Sequence, residues 1–300
     1  MTPTSGPSTL DSLWSEFGPR IEAELDRMVP PSSALPRTLW ESMRYSVLAG
    51  GKRMRPMLSV AACLAAGGQG EEAIPAGCAL ELIHTQSLIH DDLPCMDDDD
   101  LRRGRPTNHV VYGEAMALLA GDGLLAHAFQ VLARDLPRTC PPERALVAVG
   151  ELAAATLKMV EGQVVDMQAE GKPVEAETLD FIHRHKTGAL IVAAVRLGGH
   201  VADAPEATME MLTRYAEHVG LAFQIIDDIL DLTGTAEALG KSPGKDLVAH
   251  KATYPALYGL DKARSEADRQ IQAALEAIAP LGERGAALGA IARFVSERNR

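Results

Sequence analysis

Aromatic residues are scarce in this sequence and make up only 4% of its 300 positions. Runs of β-branched residues are also rare, whereas Ala and Leu are abundant. Aromatic and β-branched side chains favour strands, while Ala and Leu favour helices. The composition therefore predicts a helical protein, and a hydrophobic content of 46% is enough for a substantial core.

The sequence also lacks an excess of basic charge, because its formal net charge is -12. A protein that binds nucleic acid needs a basic surface to release counterions from the phosphate backbone. We therefore expect no nucleic-acid partner. Small anionic substrates are not excluded, since local cations or metal ions can hold them.

Paired cysteines and long apolar runs are missing as well. The four cysteines form no CxxC pair, so we expect neither a disulfide framework nor a zinc site, and a reducing cytoplasm fits best. The N-terminal residues do not resemble a signal peptide. No uninterrupted apolar stretch reaches about 18 residues, so no transmembrane helix is expected.

Helical periodicity organises the chain from Leu13 onward, and Pro and Gly pairs interrupt it. The pattern predicts a polar tail over residues 1–10 and a single all-α domain of about ten helices over residues 11–300, packed as a bundle. The clearest predicted helices span residues 75–91, 114–133, 144–169, 176–197, 206–232 and 254–278, with loops at 135–143 and 234–250.

The first unusual segment is DDLPCMDDDD at residues 91–100, with six aspartates in ten positions. An arbitrary acidic run is most often a solvated loop or an incidental Ca²⁺ site. This run instead ends an apolar helix, lacks the spacing of an EF-hand loop, and is followed at once by Arg102 and Arg103. These features favour a functional site, with Asp98, Asp99 and Asp100 as a solvated rim.

A second acidic cluster, Asp227-Asp228-Ile229-Leu230-Asp231, lies within a predicted helix. Residues four apart share a helix face, so Asp227 and Asp231 project together while Asp228 points elsewhere. Neighbouring carboxylates repel each other unless they share a proton or bind a cation. Oxygen ligands without a His or Cys set suit Mg²⁺, whose shell is completed by water and substrate phosphate. The two clusters therefore predict a trinuclear or similar Mg²⁺ clamp for a diphosphate.

Cations that could bind the same anion are concentrated in GGKRMRP at residues 50–56. The flanking glycines allow close backbone approach to an anion, and Arg suits bidentate phosphate contacts. Each such side chain taken alone is more often a surface charge than a ligand. Beside two carboxylate clusters, the set predicts two anion sites: Lys52, Arg53, Arg55, Arg102, Arg103, Lys186, Lys241 and Lys251.

In their order and spacing these motifs resemble the trans-isoprenyl diphosphate synthases of the farnesyl/geranylgeranyl type. GGKRMRP resembles the family's first cationic motif, and DDLPCMDDDDLRRGRP resembles its first aspartate-rich motif. HKTGAL at residues 185–190 and GLAFQIIDDILD with a following LGK at 220–241 resemble the remaining motifs. The resemblance covers about residues 40–260. It implies the isoprenoid synthase fold, in which helices surround a deep central cavity with the two Asp motifs at its mouth.

The resemblance also implies a role for each matching residue. Asp91, Asp97 and Asp227 are expected to hold three Mg²⁺ ions, with Asp92 and Asp231 as supporting ligands. The isopentenyl diphosphate headgroup is expected at Lys52, Arg55, His84 and Arg103. The allylic diphosphate is expected at Arg102, Lys186, Thr187, Gln224, Lys241 and Lys251. His84 precedes Asp91 by two helical turns, which places both on roughly one face.

Gln86 and Ser87, about one turn before Asp91, are expected to set the length of the product. Relatives that make farnesyl diphosphate tend to carry a bulky aromatic at the position of Gln86, and this chain does not. Geranylgeranyl diphosphate is therefore the expected end product, with farnesyl diphosphate as the alternative. The resemblance further implies a homodimer that ionises an allylic diphosphate and joins it to isopentenyl diphosphate.

Other classes of protein also carry acidic motifs of this kind. A terpene cyclase uses Mg²⁺ and an aspartate cluster, but it needs no second diphosphate pocket. A silent regulatory homologue would be expected to lack one aspartate motif, and both are present here. A Ca²⁺-binding structural protein would release no diphosphate from an allylic substrate.

Overall fold

The computed structural model describes residues 9–233 and 253–297. Thirteen α-helices lie within these residues and account for most of them. They are α1 (Leu10–Met28), α2 (Arg37–Val47), α3 (Met54–Ala66), α4 (Ile74–Asp91), α5 (Asn108–Tyr112), α6 (Glu114–Asp135), α7 (Pro142–Ala169), α8 (Ala176–Ile182), α9 (Ala189–Val201), α10 (Glu206–Thr233), α11 (Tyr254–Tyr258), α12 (Leu260–Ile278) and α13 (Ala286–Glu297). The predicted all-α fold is confirmed.

Short elements complete the described chain. A π-helix, His183–Gly188, joins α8 to α9, and 3₁₀ turns lie at Glu71–Ala73, Leu136–Arg138 and Ala279–Gly285. The two strands in the described residues, β1 (Leu101–Arg102) and β2 (Arg105–Pro106), pair antiparallel as a small hairpin that the sequence did not predict.

The centre of the fold is formed by α3, α4 and α9, which pack closely because glycines lie at their contacts. A Cβ added to Gly198 on α9 would lie 2.1 Å from the backbone oxygen of Ser59 on α3. A Cβ added to Gly77 on α4 would lie 2.7 Å from the Cα of Pro56. Nearly every residue in the first three turns of α4 is buried, as expected for a helix that is apolar all round. This rigid centre fixes where α4 ends.

Most predicted helix bounds agree with the structure to within one or two residues. The segment predicted as one helix over 176–197 contains the π-helix, and α9 continues it to Val201. The helix predicted over 254–278 is two helices, because Gly259 adopts a positive φ of 87° between α11 and α12. The predicted loop at 135–143 includes the 3₁₀ turn, and Pro142 already belongs to α7.

Two predicted segments fall wholly or largely outside the described residues. Residues 1–8 of the predicted tail are not described, and α1 begins at Leu10 with Thr9 as its N-cap. The predicted loop at 234–250 likewise lies outside the described part of the chain.

One segment, Glu114–Arg138, is long and apolar enough to cross a membrane by length and composition alone. Of its most apolar stretch, 44% is buried inside the protein. A core helix passes the same test, so this stretch is weak evidence for a membrane span. The expectation that the chain has no transmembrane segment stays a prediction.

Candidate active site

A cavity of about 620 Å³ opens between α4, α7, α10, the π-helix and the hairpin. Charged and polar side chains from the sequence motifs share its lining with apolar residues. The motif residues in the lining are Arg55, His84, Gln86, Ser87, Asp91, Arg102, Arg103, Lys186, Thr187 and Asp227. The apolar lining includes Met159, Val160, Val164, Leu190 and Phe223. The structure thus brings these ten predicted residues, from the anion-binding, metal-binding and chain-length sets, to one place.

The first aspartate segment folds back on the end of α4. The backbone N–H of Asp97 donates to the carbonyl of Asp91 over 2.8 Å, and that of Asp98 donates to Leu93 over 3.2 Å. This turn brings the Asp97 carboxylate near that of Asp91. Burial, together with the negative charges of Asp97 and Asp92, raises the pKa of Asp91 to about 6, although Lys186 and Arg102 act in the opposite direction. Asp91 is therefore a buried carboxylate whose charged form a bound cation would stabilise.

The role of Asp92 as a supporting metal ligand stays a prediction, and the structure shows this residue in contact with Arg102. It is 3% exposed and accepts hydrogen bonds from Arg102 Nε to Oδ1 over 2.7 Å and to Oδ2 over 3.0 Å. Burial raises the pKa of Asp92 even though this guanidinium opposes the shift. Asp92 thus orients Arg102, because hydrogen bonds to both carboxylate oxygens fix the plane of the guanidinium relative to the plane of the carboxylate.

The predicted acidic rim is only partly correct. Asp98 and Asp100 are exposed, as expected, but Asp99 is buried and its Oδ2 lies 3.7 Å from Arg102. Asp99 therefore helps to stabilise the hairpin through Arg102. Sequence spacing could not separate these three neighbours, because the difference arises from the hairpin that follows them.

A separate cationic cluster lies on the cavity wall. The Nε of Arg55 is buried and has no hydrogen-bond partner. Burial and the nearby Arg103 lower the pKa of Arg55, against the effect of Glu81 and Asp227. Burial and the same cations lower the pKa of His84 well below its usual value. A buried hydrogen-bond donor that has no acceptor and lies beside other positive charges is typical of a site that binds an anion.

The turn of the hairpin positions Arg103 in this cationic cluster. Arg103 and Gly104 have positive φ angles of 53° and 73°, as a two-residue hairpin turn of type I′ requires. The Arg103 guanidinium donates to the carbonyl of Gly50. A Cβ added to Gly51 would lie 2.7 Å from Arg103 Nη1, so the missing side chain at Gly51 makes room for Arg103.

Two cations of the GGKRMRP turn do not line the cavity. Arg53 is 2% exposed and hydrogen bonds to Glu22, to the Val47 carbonyl and, at 3.2 Å, to Glu81. Its prediction as part of the anion-binding turn is wrong, because a left-handed φ of 46° turns it into the core. Lys52, predicted for the isopentenyl diphosphate headgroup, lies with its Nζ 4.8 Å from the ring centre of Phe294.

The second aspartate segment and the π-helix form the opposite wall. Asp227 lines the cavity, whereas Asp228 and Asp231 are buried, so the predicted divergence of Asp227 and Asp228 is observed. Lys186 Nζ donates to Asp166 Oδ2 over 2.6 Å, and Thr187 Oγ1 donates to Gln224 Oε1 over 2.6 Å. Asp231 is not among the residues that line the cavity.

Sequence reasoning missed Gln163 and Asp166 on α7. Gln163 lines the cavity, and Asp166 is the acceptor for Lys186. The available signal was a pair of polar residues three positions apart on a helix rich in apolar residues. Lys241 and Lys251, predicted for the allylic diphosphate, lie outside the described residues.

The carboxylates fit a metal that takes much of its shell from elsewhere. Within residues 9–233 and 253–297, no three His, Cys, Asp or Glu side chains converge closely enough to hold an ion alone. Mg²⁺ usually binds one or two carboxylates and completes its octahedron with water and phosphate. The raised pKa of Asp91 and the oxygen-only donors fit such an ion.

The sequence matches the polyprenyl synthetase family over residues 36–283. The chain belongs to the polyprenyl synthetase family. It is 48% identical over 282 residues to a geranylgeranyl diphosphate synthase of Cyanophora paradoxa, with 93% of each chain covered. The fold is similar to an FPP/GFPP synthase of Zymomonas mobilis, with a TM-score of 0.85, 36% identity and coverage of 96% of this chain and 98% of that one.

A geranyltransferase of Helicobacter pylori, complexed with magnesium and isoprenyl diphosphate, has a TM-score of 0.85 and 31% identity. The match covers 98% of both chains. The resemblance to trans-isoprenyl diphosphate synthases is therefore confirmed. As a polyprenyl synthetase the chain is a prenyl transferase acting on prenyl diphosphates, and Mg²⁺ is the metal of its family.

The contrast between Asp91 and Asp92 gives a direct test of their separate roles. We expect Asp91→Asn to raise the Mg²⁺ concentration needed for half-maximal activity by at least about tenfold, because losing even an indirect metal contact costs that much. Asp92→Asn should leave the Mg²⁺ requirement near that of the wild type and raise the KM for the allylic diphosphate, because Arg102 loses its anchor. Steady-state kinetics across a Mg²⁺ titration measures both effects. Equal shifts in the Mg²⁺ requirement for the two variants would contradict the assignment.

Proposed function

We propose that the protein lengthens allylic diphosphates with isopentenyl diphosphate and releases geranylgeranyl diphosphate. The observation that carries this proposal is a single cavity with two chemically different anion sites. One wall presents Arg55, His84 and Arg103, and the other presents Asp91 and Asp227. A transferase that joins two diphosphates needs both sites beside an apolar space for the hydrocarbon tail.

The cationic cluster suits the isopentenyl diphosphate headgroup. Arg55 and Arg103 can contact phosphate oxygens directly, and the unmet Arg55 Nε gains an acceptor when an anion binds. Lowering the pKa of His84 favours the neutral imidazole, which can still donate one hydrogen bond. This site needs no metal ion.

The carboxylate side suits the allylic diphosphate. We propose three Mg²⁺ ions per site, with Asp91 and Asp97 holding two and Asp227 the third. When bound, Mg²⁺ supplies charge neutralisation for the diphosphate that leaves the allylic carbon. Arg102 and Lys186 add positive charge on the same side of the cavity.

The remaining steps depend on how the two substrates are positioned more than on chemical groups supplied by side chains. The cationic cluster holds isopentenyl diphosphate so that its double bond attacks the allylic carbon as the carbon–oxygen bond breaks. The new carbon–carbon bond forms, a proton leaves the lengthened chain, and the released diphosphate takes it up. Met159 and Leu190, both buried on the cavity wall, exclude water that would otherwise trap the allylic cation as an alcohol.

Product length depends on the cavity wall near Gln86. Gln86 and Ser87 both line the cavity, and Gln86 is 8% exposed with Nε2 3.0 Å from His90 Nδ1. His90 in turn lies 3.1 Å from the carbonyl of Leu118 on α6. These contacts hold Gln86 on the cavity wall beside His90, and Gln86 itself brings no aromatic ring into the cavity. That geometry supports the twenty-carbon product over the fifteen-carbon alternative.

The proposed reaction is tested with purified protein, isopentenyl diphosphate and Mg²⁺. Dimethylallyl, geranyl and farnesyl diphosphate are supplied separately, and the products are identified by mass spectrometry. We expect released diphosphate and a twenty-carbon trans product from each starter. A cyclised hydrocarbon would indicate a terpene cyclase, and binding without turnover would indicate a silent homologue or a structural metal-binding protein.

The role of Gln86 is tested by Gln86→Tyr, which places a ring in the cavity. We expect the main product to shorten to farnesyl diphosphate, because a ring removes the space for the last five carbons. Gln86→Met is the matched control, since it keeps a long unbranched side chain and should retain the twenty-carbon product. Unchanged product length in Gln86→Tyr would contradict the assignment.

We also propose that the protein works as a homodimer, as its family resemblance implies. Apolar residues at heptad spacing form an exposed stripe along α7: Leu146, Gly150, Ala153, Leu157, Val160, Val164 and Met167. Leu146 is 72% exposed and Leu157 61%. Leu118 and Leu119 on the adjacent α6 are also exposed. A contiguous apolar stripe at a 3.5-residue repeat is what a packed helix–helix interface requires. The cytoplasmic location stays a prediction from sequence.

The dimer is tested by Leu157→Glu, which places a charge in the middle of this stripe. We expect sedimentation velocity to show a monomer, because a buried unpaired carboxylate is strongly unfavourable. Gln168→Glu adds the same charge to α7 beside the stripe and should leave a dimer. A wild-type monomer at micromolar concentration, or a dimer of Leu157→Glu, would contradict this interface.

A further inference from the structure

The π-helix His183–Gly188 places two consecutive side chains, Lys186 and Thr187, on the wall of the same cavity. In an α-helix consecutive side chains project about 100° apart. A π-turn inserts one residue into the helix, re-aims the side chains beside it, and occurs most often at functional sites. The structure around this turn explains why it forms here.

On the α7 side, the π-helix is accommodated by a missing side chain. A Cβ added to Gly162 would lie 2.2 Å from the backbone nitrogen of Lys186 and 2.7 Å from its Cα. Both are backbone atoms, so a methyl group at this position must displace the π-helix itself. Gly220 on α10 faces the same element, with an added Cβ 3.2 Å from the Cα of Gly188.

On the α10 side, the π-helix is held by the buried carboxylate of Asp228. Its Oδ2 lies 3.2 Å from His183 Nε2, a close contact without hydrogen-bond geometry. The same Oδ2 accepts the backbone N–H of Tyr254 over 2.8 Å, and Oδ1 accepts Gln224 Nε2 over 2.8 Å. The ring of Tyr254 also stacks on His183, with centroids 6.4 Å apart. A carboxylate suits this position because it offers only acceptors to these groups.

Asp228 also fixes the amide that meets Thr187. Because Gln224 donates its Nε2 to Asp228, its Oε1 is turned towards Thr187 and accepts that hydroxyl over 2.6 Å. The hydrogen-bond chain therefore runs from Asp228 through Gln224 to a residue on the cavity wall. Removing the carboxylate frees the amide to flip and the hydroxyl to rotate.

We propose that Gly162, His183 and Asp228 are positioning residues that hold the π-turn, so that Lys186 and Thr187 face the allylic diphosphate. Asp228 accordingly supports the cavity wall and is not a metal ligand, despite its place in the second aspartate motif. This inference rests on the proposed function, which assigns that side of the cavity to the allylic substrate.

The test is equilibrium binding by calorimetry with two separate probes. Geranyl thiolodiphosphate, in which sulfur replaces the bridging oxygen, reports on the allylic side in the presence of Mg²⁺. Isopentenyl diphosphate reports on the cationic cluster. We expect Gly162→Ala to weaken binding of the thiolodiphosphate about tenfold or more, because small misplacements of binding groups cost that much. Binding of isopentenyl diphosphate should not change.

Gly289→Ala is the matched control. Gly289 also lies in a helix, and its added Cβ would first meet the flexible Arg293 side chain at 3.4 Å. Both dissociation constants should stay at wild-type values in this variant. Arg103→Ala should give the mirror result, with weakened isopentenyl diphosphate and unchanged thiolodiphosphate. Equal effects of Gly162→Ala on both probes, or none on the thiolodiphosphate, would overturn the proposal.

Asp228→Asn gives a second route if Gly162→Ala does not fold. We expect weakened thiolodiphosphate binding at an unchanged Mg²⁺ requirement, in contrast to Asp91→Asn. A raised Mg²⁺ requirement, or wild-type affinity for the thiolodiphosphate, would overturn the role of Asp228. Failure of the proposed function is distinguishable, because the wild type would then neither bind the thiolodiphosphate nor form a prenyl product.

Discussion

Cationic and acidic side chains line different walls of one cavity, and the site depends on this separation. Arg55 keeps a buried Nε without a partner, while Asp91 has its pKa raised to about 6 by burial and by its acidic neighbours. A bound anion would give Arg55 Nε an acceptor, and a bound cation would stabilise the buried carboxylate of Asp91. One diphosphate would supply the anion to the cationic side, and the second, bound with Mg²⁺, would bring the cation to the carboxylate side.

The separation persists because nearby counter-charges are already engaged. Arg53 reaches into the core, where it hydrogen bonds to Glu22 and Glu81, so Glu81 is already paired with a cation beside the cluster. Arg102 donates hydrogen bonds to both carboxylate oxygens of Asp92. Helix α4 carries His84 and Asp91 two turns apart, which sets the two sides at a fixed spacing. The scaffold therefore stabilises an arrangement of charge that the free side chains would not adopt.

Local patterns in the sequence predicted most of the helices and many of the residues that line the cavity. Apolar periodicity located α4, α6, α7 and α10, and the two acidic clusters identified Asp91 and Asp227. Contacts between distant segments were beyond such patterns. Arg53 and Arg55 look equivalent in the sequence, yet a left-handed φ sends Arg53 into the core. The ion pair of Lys186 with Asp166 and the π-turn likewise depend on how α7 and α10 pack around that segment.

The central claim is that one diphosphate is bound by cations directly and the other through metal. Calorimetric titration of the wild-type protein with isopentenyl diphosphate and, separately, with geranyl thiolodiphosphate tests it most directly, first with Mg²⁺ and then with EDTA. We expect isopentenyl diphosphate to bind still in EDTA, whereas binding of the thiolodiphosphate is lost. Equal dependence of the two ligands on Mg²⁺, or retention of both in EDTA, would contradict it.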